Sequence, residues 1–494
     1  MIKKILIANR GEIACRIIST CKELGITAVS IYTKGEEFLP HVLNSDETYC
    51  LGSGELAETY LNIDKIILIG KQSHVDAIHP GYGFLSENSN FALALEKNDI
   101  KLIGPSANIM AIMGDKQSSK EEMEKINIPL IPGYYGDQQD HDFLLKESKK
   151  IGFPVLIKAS AGGGGKGMRI VEIESEFMES LEGAKREALK SFGNDKVLIE
   201  RYIQRPRHIE VQVLSDQHEN HLHFFERECS IQRRYQKIIE ETPSTALSEE
   251  LRGNITQAAV KITESINYEG AGTIEFILDE DNKFYFLEMN TRLQVEHPVT
   301  EMTTGFDLVQ LQIEVAEGKK LEIKQSEIFQ QGHSIELRLY AEDPANNFLP
   351  SIGKLKTTGN IQSRGVRFDC GLNPGNEVTI DFDPMLAKLI VHAASRKDAI
   401  VKCLNALKEI SFSGVKTNKD FLKEILQNPD FQNGVTYTSF ISENKESLMV
   451  SKKKDNVDIA DIIASFYLAQ SGQNKNISFN TNGPWSNLSG FRNL

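Results

Sequence analysis

The chain has 494 residues, too many for one ordinary hydrophobic core, and reads as two to four domains. Its 40% hydrophobic and 25% charged residues are those of a globular protein, and no apolar run approaches the ~18 residues of a membrane span. A net charge of −13 opposes nucleic-acid binding, and none of the six cysteines has the C-x-x-C spacing of zinc or a redox dithiol. Neither nucleic acid nor membrane is therefore an expected partner.

The N-terminus, Met1-Ile2-Lys3-Lys4-Ile5-Leu6-Ile7-Ala8, runs straight into a strand, without an h-region or cleavage site. The expected compartment is the cytoplasm. Gly11 to Leu24 is helical and ends at Gly25. Thr27–Tyr32 is the next strand, and Ala77-Ile78 and Leu102-Ile103-Gly104 are strand ends of the same kind. The pattern predicts a parallel sheet with helices on both faces. Its first turn, Asn9-Arg10-Gly11-Glu12-Ile13-Ala14, holds one glycine and fails the dinucleotide fingerprint, so the shape does not imply NAD.

Val155-Leu156-Ile157-Lys158 is an apolar strand ending in lysine. Gly162-Gly163-Gly164-Gly165-Lys166 follows, and Arg169-Ile170-Val171 resumes a strand. Consecutive glycines can turn their N–H groups toward one anion, and the lysines add charge for a polyphosphate. Ser160 and Gly167 break the Walker pattern, and a P-loop opens a helix rather than a strand. A mobile lid over a nucleotide fits better than a plain hairpin tip.

The segment Gly272 to Glu296 says most. Gly272–Leu278 and Phe284–Asn290 read as a hairpin. Pairing Asp279 with Phe284 over a four-residue loop puts Glu275 opposite Glu288 on one face, with Asn290 and Arg292 following on it. Facing like charges are destabilising, so a divalent cation, Mg²⁺ or Mn²⁺, is the natural explanation. Pro298 and dense polar residues then suggest a loop leaving the strand. There Arg292 offers a fork for a carboxylate-like anion, and Glu296 is the natural general base. In Glu226–Lys237, Lys237 could add charge to this anion site, and Gln232 and Tyr235 could reach a nucleotide sugar. Cys229 reads as a buried thiol. Further on, Lys452-Lys453-Lys454 reads as a solvated turn and Ile459 to Ala469 as an amphipathic helix; the sole tryptophan is Trp485.

Several of these strings closely resemble biotin carboxylase, over Met1 to about residue 446. They are Ala8–Ala14, His79-Pro80-Gly81-Tyr82-Gly83-Phe84-Leu85-Ser86-Glu87-Asn88, Met113-Gly114-Asp115-Lys116, the four-glycine loop and Glu288–Pro298. The resemblance implies an ATP-grasp fold of mixed α/β and α+β type. Residues 1–115 would form a Rossmann-like α/β domain, 116–203 the lid region and 204–330 the part holding metal and bicarbonate. Residues 331–446 would be a C-terminal domain and 447–494 an extension toward partner domains.

By the same resemblance, Lys116 and Lys158 would contact ATP phosphates, and Gly164 and Gly165 would belong to the nucleotide-binding lid loop. Glu200, Arg201, Tyr202 and Ile203 would bind adenine, and His208, Gln232 and Tyr235 the rest of the nucleotide. Glu275, Glu288 and Asn290 would hold Mg²⁺ or Mn²⁺ at two positions. Lys237, Arg292, Gln294, Val295 and Glu296 would form the bicarbonate site. Arg338, with Tyr82 nearby, would serve biotin, Arg338 stabilising its enolised form. Tyr235 departs from the usual histidine or asparagine, and Ser19 from an arginine at some members' dimer contact. No Met-Lys-Met biotinylation signature occurs. The expected partners are therefore a separate biotin carboxyl carrier, a carboxyltransferase subunit and a second copy of the chain. Another carboxyphosphate-forming ATP-grasp ligase, or a nucleotide-binding subunit without catalysis, stays open as an alternative.

Overall fold

The computed structural model describes residues 1–160, 168–359, 361 and 363–449. Gly164, Gly165, Lys166, the Lys452–Lys454 run, the expected helix 459–469 and Trp485 lie outside the described residues. The N-terminal strands β1 (Lys4–Ile7), β2 (Thr27–Tyr32), β3 (Glu47–Cys50), β4 (Ala77–His79) and β5 (Lys101–Leu102) form a parallel sheet in the order β3-β2-β1-β4-β5. Alternate residues supply its two cores. Ile5, Ile7 and Ala28 pack with Ile13 and Ile17 of the helix Gly11–Glu23, while Leu6, Val29 and Ile31 pack with Ile66 and Phe91. A sheet covered on both faces needs near-continuous apolar strands, which is what made it readable.

A second, antiparallel sheet has the order β6-β9-β7-β8, from β6 (Gly133–Tyr134), β7 (Val155–Ala159), β8 (Arg169–Val171) and β9 (Val197–Arg201). Val155, Ile157, Val197 and Ile199 pack on Phe177 and Leu181 of the helix Phe177–Phe192. The glycine-rich segment thus joins two paired strands, as the strand–loop–strand reading expects.

The third sheet has eight antiparallel strands. It starts with β14 (Phe284–Asn290), β13 (Gly270–Leu278), β10 (Arg207–Ser215), β11 (His221–Arg233) and β12 (Gln236–Thr242). It continues through β15 (His333–Tyr340) into the strands Met385–Ala393 and Val366–Cys370. The β12–β15 ladder, with Ile239 opposite Leu337, carries this one sheet across residue 330. Ile209, Val211, Ile274 and Phe276 face Ile255, Ala259 and Ile262 of the helix Glu249–Ser265. Side chains alternate, so His208, Glu210, Gln212 and Glu275 share the opposite face.

The β13–β14 hairpin reaches the expected pairing by a different route. Leu278, not Asp279, stands opposite Phe284, so the loop is five residues long and the first register is shifted by one. A bulge between Phe276 and Glu275 absorbs one residue of β14, and Glu275 then faces Glu288. The bulge lets Phe286 enter the core while Leu287 and Glu288 both line the cavity. Without it Glu288 would follow Phe286 onto the core face. A second difference concerns Pro298. It sits in the first turn of a helix, His297–Thr304, where its missing N–H costs nothing.

Candidate active site

The polar face of the large sheet, the lid strands and the N-terminal segment enclose a cavity of about 610 Å³. Lys116, Lys158, Glu200, His208, Gln232, Tyr235, Lys237, Glu275, Glu288, Asn290, Arg292, Gln294, Val295, Arg338 and Tyr82 line it. Glu296 lies just beneath, fully buried. Arg201, Tyr202 and Ile203 are not among its lining. Arg201 instead donates to the Tyr285 hydroxyl at 3.2 Å, and Ile203 packs against Ile131, Ile277 and Tyr285.

Lys237 is the hub. Its Nζ lies 2.6 Å from Glu210 Oε2, 2.8 Å from Glu275 Oε1 and 2.7 Å from Glu296 Oε1. Burial works against this ammonium, but the three carboxylates outweigh it and hold its pKa well above the usual lysine value. Arg338 Nη2 reaches the other Glu296 oxygen at 2.8 Å, and Arg338 Nε donates to Glu240 Oε1 at 2.6 Å. Burial alone would raise the Glu296 pKa. Lys237, Arg338 and Arg227 reverse that and hold it well below the usual carboxylate range.

Glu275 and Glu288 differ. Burial would raise Glu275, but Lys237 and His208 bring it down; His208 Nε2 is 3.0 Å from Glu275 Oε2. Glu288 is raised, first by burial and then by the Glu275 charge, with Lys116 opposing. Asn290 Nδ2 donates to Glu275 Oε1 at 3.0 Å, and its Oδ1 accepts from Arg292 at 3.2 Å. This oxygen-rich pair, with one carboxyl under-compensated, fits a hard divalent cation. The carboxylates of Glu210, Glu275 and Glu296 instead converge on Lys237, which already supplies their cation.

Arg292 is anchored by Glu87 Oε2 at 2.8 Å and reaches Gln294 Oε1 at 3.1 Å. In the lid region Lys120 and Lys158 both pair with Glu200, which lies 1% exposed; burial opposes them, yet they hold its carboxyl at about 2. Gln232 donates to the Cys229 carbonyl at 2.8 Å, beside His208. Tyr235 is 57% exposed at the cavity rim, with φ of 65° in a two-residue turn. Cys229 is fully buried, and burial first, then Glu210, pushes its thiol well above the ordinary value, as a buried inert thiol requires.

Three family models match the chain. They are the biotin carboxylase N-terminal domain over residues 1–110, the carbamoyl-phosphate synthase L chain ATP-binding domain over 115–324 and the biotin carboxylase C-terminal domain over 336–443. Biotin carboxylase 2 of Bacillus subtilis is 46% identical over 90% of this chain and 100% of its own length. The chain belongs to the biotin carboxylase family. The methylcrotonoyl-CoA carboxylase α subunit of Dictyostelium discoideum is 48% identical over 99% of this chain and 70% of its own length. The chain spans 60–70% of such CoA carboxylase α subunits. The biotin carboxylase domain dimer of Hydrogenobacter thermophilus 2-oxoglutarate carboxylase, solved with MgADP, ADP and bicarbonate, superposes with a TM-score of 0.88. It is 45% identical, covering 91% of this chain and 99% of that one. Membership makes the chain one of a family of ATP-dependent ligases with the ATP-grasp fold.

The sequence pointed to no role for Glu210, Arg227, Glu240 and Lys120, nor for Glu87 within its motif. A signal existed for Glu210: His208-Ile209-Glu210-Val211-Gln212-Val213 alternates polar and apolar, which marks one polar strand face. Nothing local points to Glu240. It is fully buried on β12, and its carboxyl rises to about 7, chiefly through burial and against the pull of Arg338.

Proposed function

We propose that this chain is the biotin carboxylase component of an acyl-CoA carboxylase. It uses ATP and bicarbonate to carboxylate biotin on a separate carrier, giving carboxybiotin, ADP and phosphate. The observation that carries this reading is Glu296, buried and ionised between Lys237 and Arg338, beneath the cavity that also holds the Glu275–Glu288 pair. Lys237, Arg292, Gln294 and the Val295 backbone hold bicarbonate, and Glu296 takes its proton. The freed oxygen attacks the γ-phosphorus, the bond to ADP breaks, and carboxyphosphate forms. Lys116 and Lys158 steady the phosphates, and Gly164 and Gly165 are further nucleotide-binding residues. Glu275, Glu288 and Asn290 would hold Mg²⁺ or Mn²⁺ at two positions; when bound, the metal neutralises charge on the phosphates.

Carboxyphosphate then separates into CO₂ and phosphate. The phosphate takes the biotin N1′ proton, and the resulting anion, held by Arg338, attacks CO₂. Adenine lies along the stretch Glu200, Arg201, Tyr202 and Ile203, of which Glu200 lines the cavity and the other three continue beyond its lining, and His208, Gln232 and Tyr235 serve the ribose side. On this reading 1–115, 116–203, 204–330 and 331–446 are the working divisions, with 447–494 leading toward the partner domains. The partners are a biotin carboxyl carrier protein or domain, a carboxyltransferase and a second copy of the chain, in the cytoplasm.

The test is ATP hydrolysis measured with and without bicarbonate, and with and without free biotin. Turnover that needs bicarbonate and rises with biotin is expected. Hydrolysis indifferent to bicarbonate overturns the reading; bicarbonate dependence without any biotin effect points to another carboxyphosphate-forming ligase.

A further inference from the structure

Lys388 takes no part in the chemistry above and does not line the cavity. It lies in the middle of the strand Met385–Ala393, with 0% of its surface exposed and Ala387 and Leu389 beside it. A leucine there would fill the space without desolvating a charge, whereas a buried ammonium needs paired, hydrogen-bonded surroundings. Those surroundings are specific. Lys388 Nζ donates to the Val295 carbonyl at 2.7 Å and sits 3.3 Å from Glu12 Oε1. The Tyr82 hydroxyl donates to the same Glu12 oxygen. Across the sheet, Arg338 stands directly opposite Lys388 on one side and Asp369 on the other. Burial opposes the ammonium, but Glu12, Glu336 and Asp369 outweigh it and raise its pKa.

Val295 belongs to the short stretch between the end of β14 at Asn290 and the helix at His297, the stretch that carries Arg292, Gln294 and Glu296. A peptide group is planar and trans, so its C=O and the next N–H point in opposite directions. Holding the Val295 carbonyl therefore also sets the Glu296 N–H and the start of the Glu296 side chain. Lys237 and Arg338 grip the Glu296 carboxylate from one end; Lys388 grips the backbone at the other.

We propose that Lys388 is a positioning residue for the bicarbonate site. It orients the Val295–Glu296 peptide, and through Glu12 and Tyr82 it ties that orientation to the helix Gly11–Glu23 and the segment after β4. This deepens the function proposed above and rests on it.

The experiment compares the wild-type chain with Lys388→Met, Lys388→Arg and the double variant Glu12→Gln/Lys388→Met, reading KM for bicarbonate and for ATP, kcat and thermal midpoint. Lys388→Met is expected to raise the bicarbonate KM about tenfold or more while the ATP KM stays within about twofold. Lys388→Arg, which keeps a donor and a charge, should recover part of that loss. The double variant removes the stranded Glu12 charge, so it should regain thermal stability yet keep the bicarbonate defect. If Lys388→Met does not fold, the double variant carries the test, with Lys388→Arg expected to show a smaller rise in the bicarbonate KM and none in the ATP KM. A double variant with a normal bicarbonate KM, or KM values for ATP and bicarbonate that rise together, would overturn the proposal in favour of a purely structural lysine. A wild-type chain without bicarbonate-dependent hydrolysis would overturn the reading of the whole site, and this proposal with it.

Discussion

Glu288, half-buried in the cavity wall, and Glu296, fully buried beneath it, stand one loop apart in the chain, and their carboxyls are driven in opposite directions. Burial and its cross-strand neighbour Glu275 raise Glu288. Lys237, Arg338 and Arg227, overcoming the same burial, hold Glu296 far down. Within the hairpin Glu288 meets the charge of Glu275, which is itself paired with Lys237 and His208. The Glu296 site already has its counter-charges, delivered by β11, β12 and β15. Burial alone therefore does not decide protonation here; the number of cations brought in from other strands does.

The largest test of that contrast is Glu296→Gln. It removes the proposed base and leaves Lys237 and Arg338 facing a neutral amide. Bicarbonate-dependent turnover should fall by ~10²–10⁴-fold, with nucleotide binding, measured by calorimetry, nearly unchanged. Near-normal turnover would mean that another group takes the proton.

Glu200 is a second carboxylate supplied with cations by tertiary structure. With its carboxyl at about 2 against a reference of 4.5, its ionised form contributes roughly 3 kcal/mol, an order-of-magnitude figure. Because the pKa is depressed in the folded state, that contribution is full above about pH 4.5 and is lost as pH falls toward 2. The stability gap between wild type and Glu200→Gln, from urea titrations, should therefore shrink steadily below pH 4.5. A constant gap would show that the lysines do not set this carboxyl.

The hairpin pair should respond asymmetrically. Either Glu275→Gln or Glu288→Gln should cut metal-dependent ATP turnover by about an order of magnitude or more. Without metal at neutral pH, Glu288→Gln should raise the thermal midpoint, since its ionisation opposes folding once pH passes the unfolded carboxyl's value. Glu275→Gln should lower it, since Lys237 and His208 lose their partner. Midpoints moving the same way would break the comparison.

The smallest effect is expected at Tyr235, exposed at the rim and outside both clusters. Its hydroxyl can replace one ribose hydrogen bond from a different position, so Tyr235→His should change the ATP KM by up to about tenfold and kcat little. Restoration of an inert enzyme by this change would instead favour lost catalysis.

The facing of Glu275 and Glu288 was legible because both sit on one hairpin, where strand periodicity is a local property of the chain. Even there the loop pairing differed by one residue, and the bulge beside Phe276 restored the register. Core packing made that correction: Phe286 belongs inside and Glu288 in the cavity, and regular alternation cannot serve both. The resemblance placed Lys237, Arg292 and Arg338 in one site, but it did not show that Lys237 bridges three carboxylates. Arg227, Glu240 and Lys388 carried no motif, and Glu210 only the alternation of its strand.

By itself, then, the sequence determined the parallel N-terminal sheet, the carboxylate hairpin, the lid strands and the family. Each depends on interactions within a few residues or on strings long enough to match. Only the tertiary structure decided which carboxylates are charged. Coulomb energies depend on distance through space, and the partners that set Glu296, Glu200 and Glu275 come from strands and helices far away along the chain.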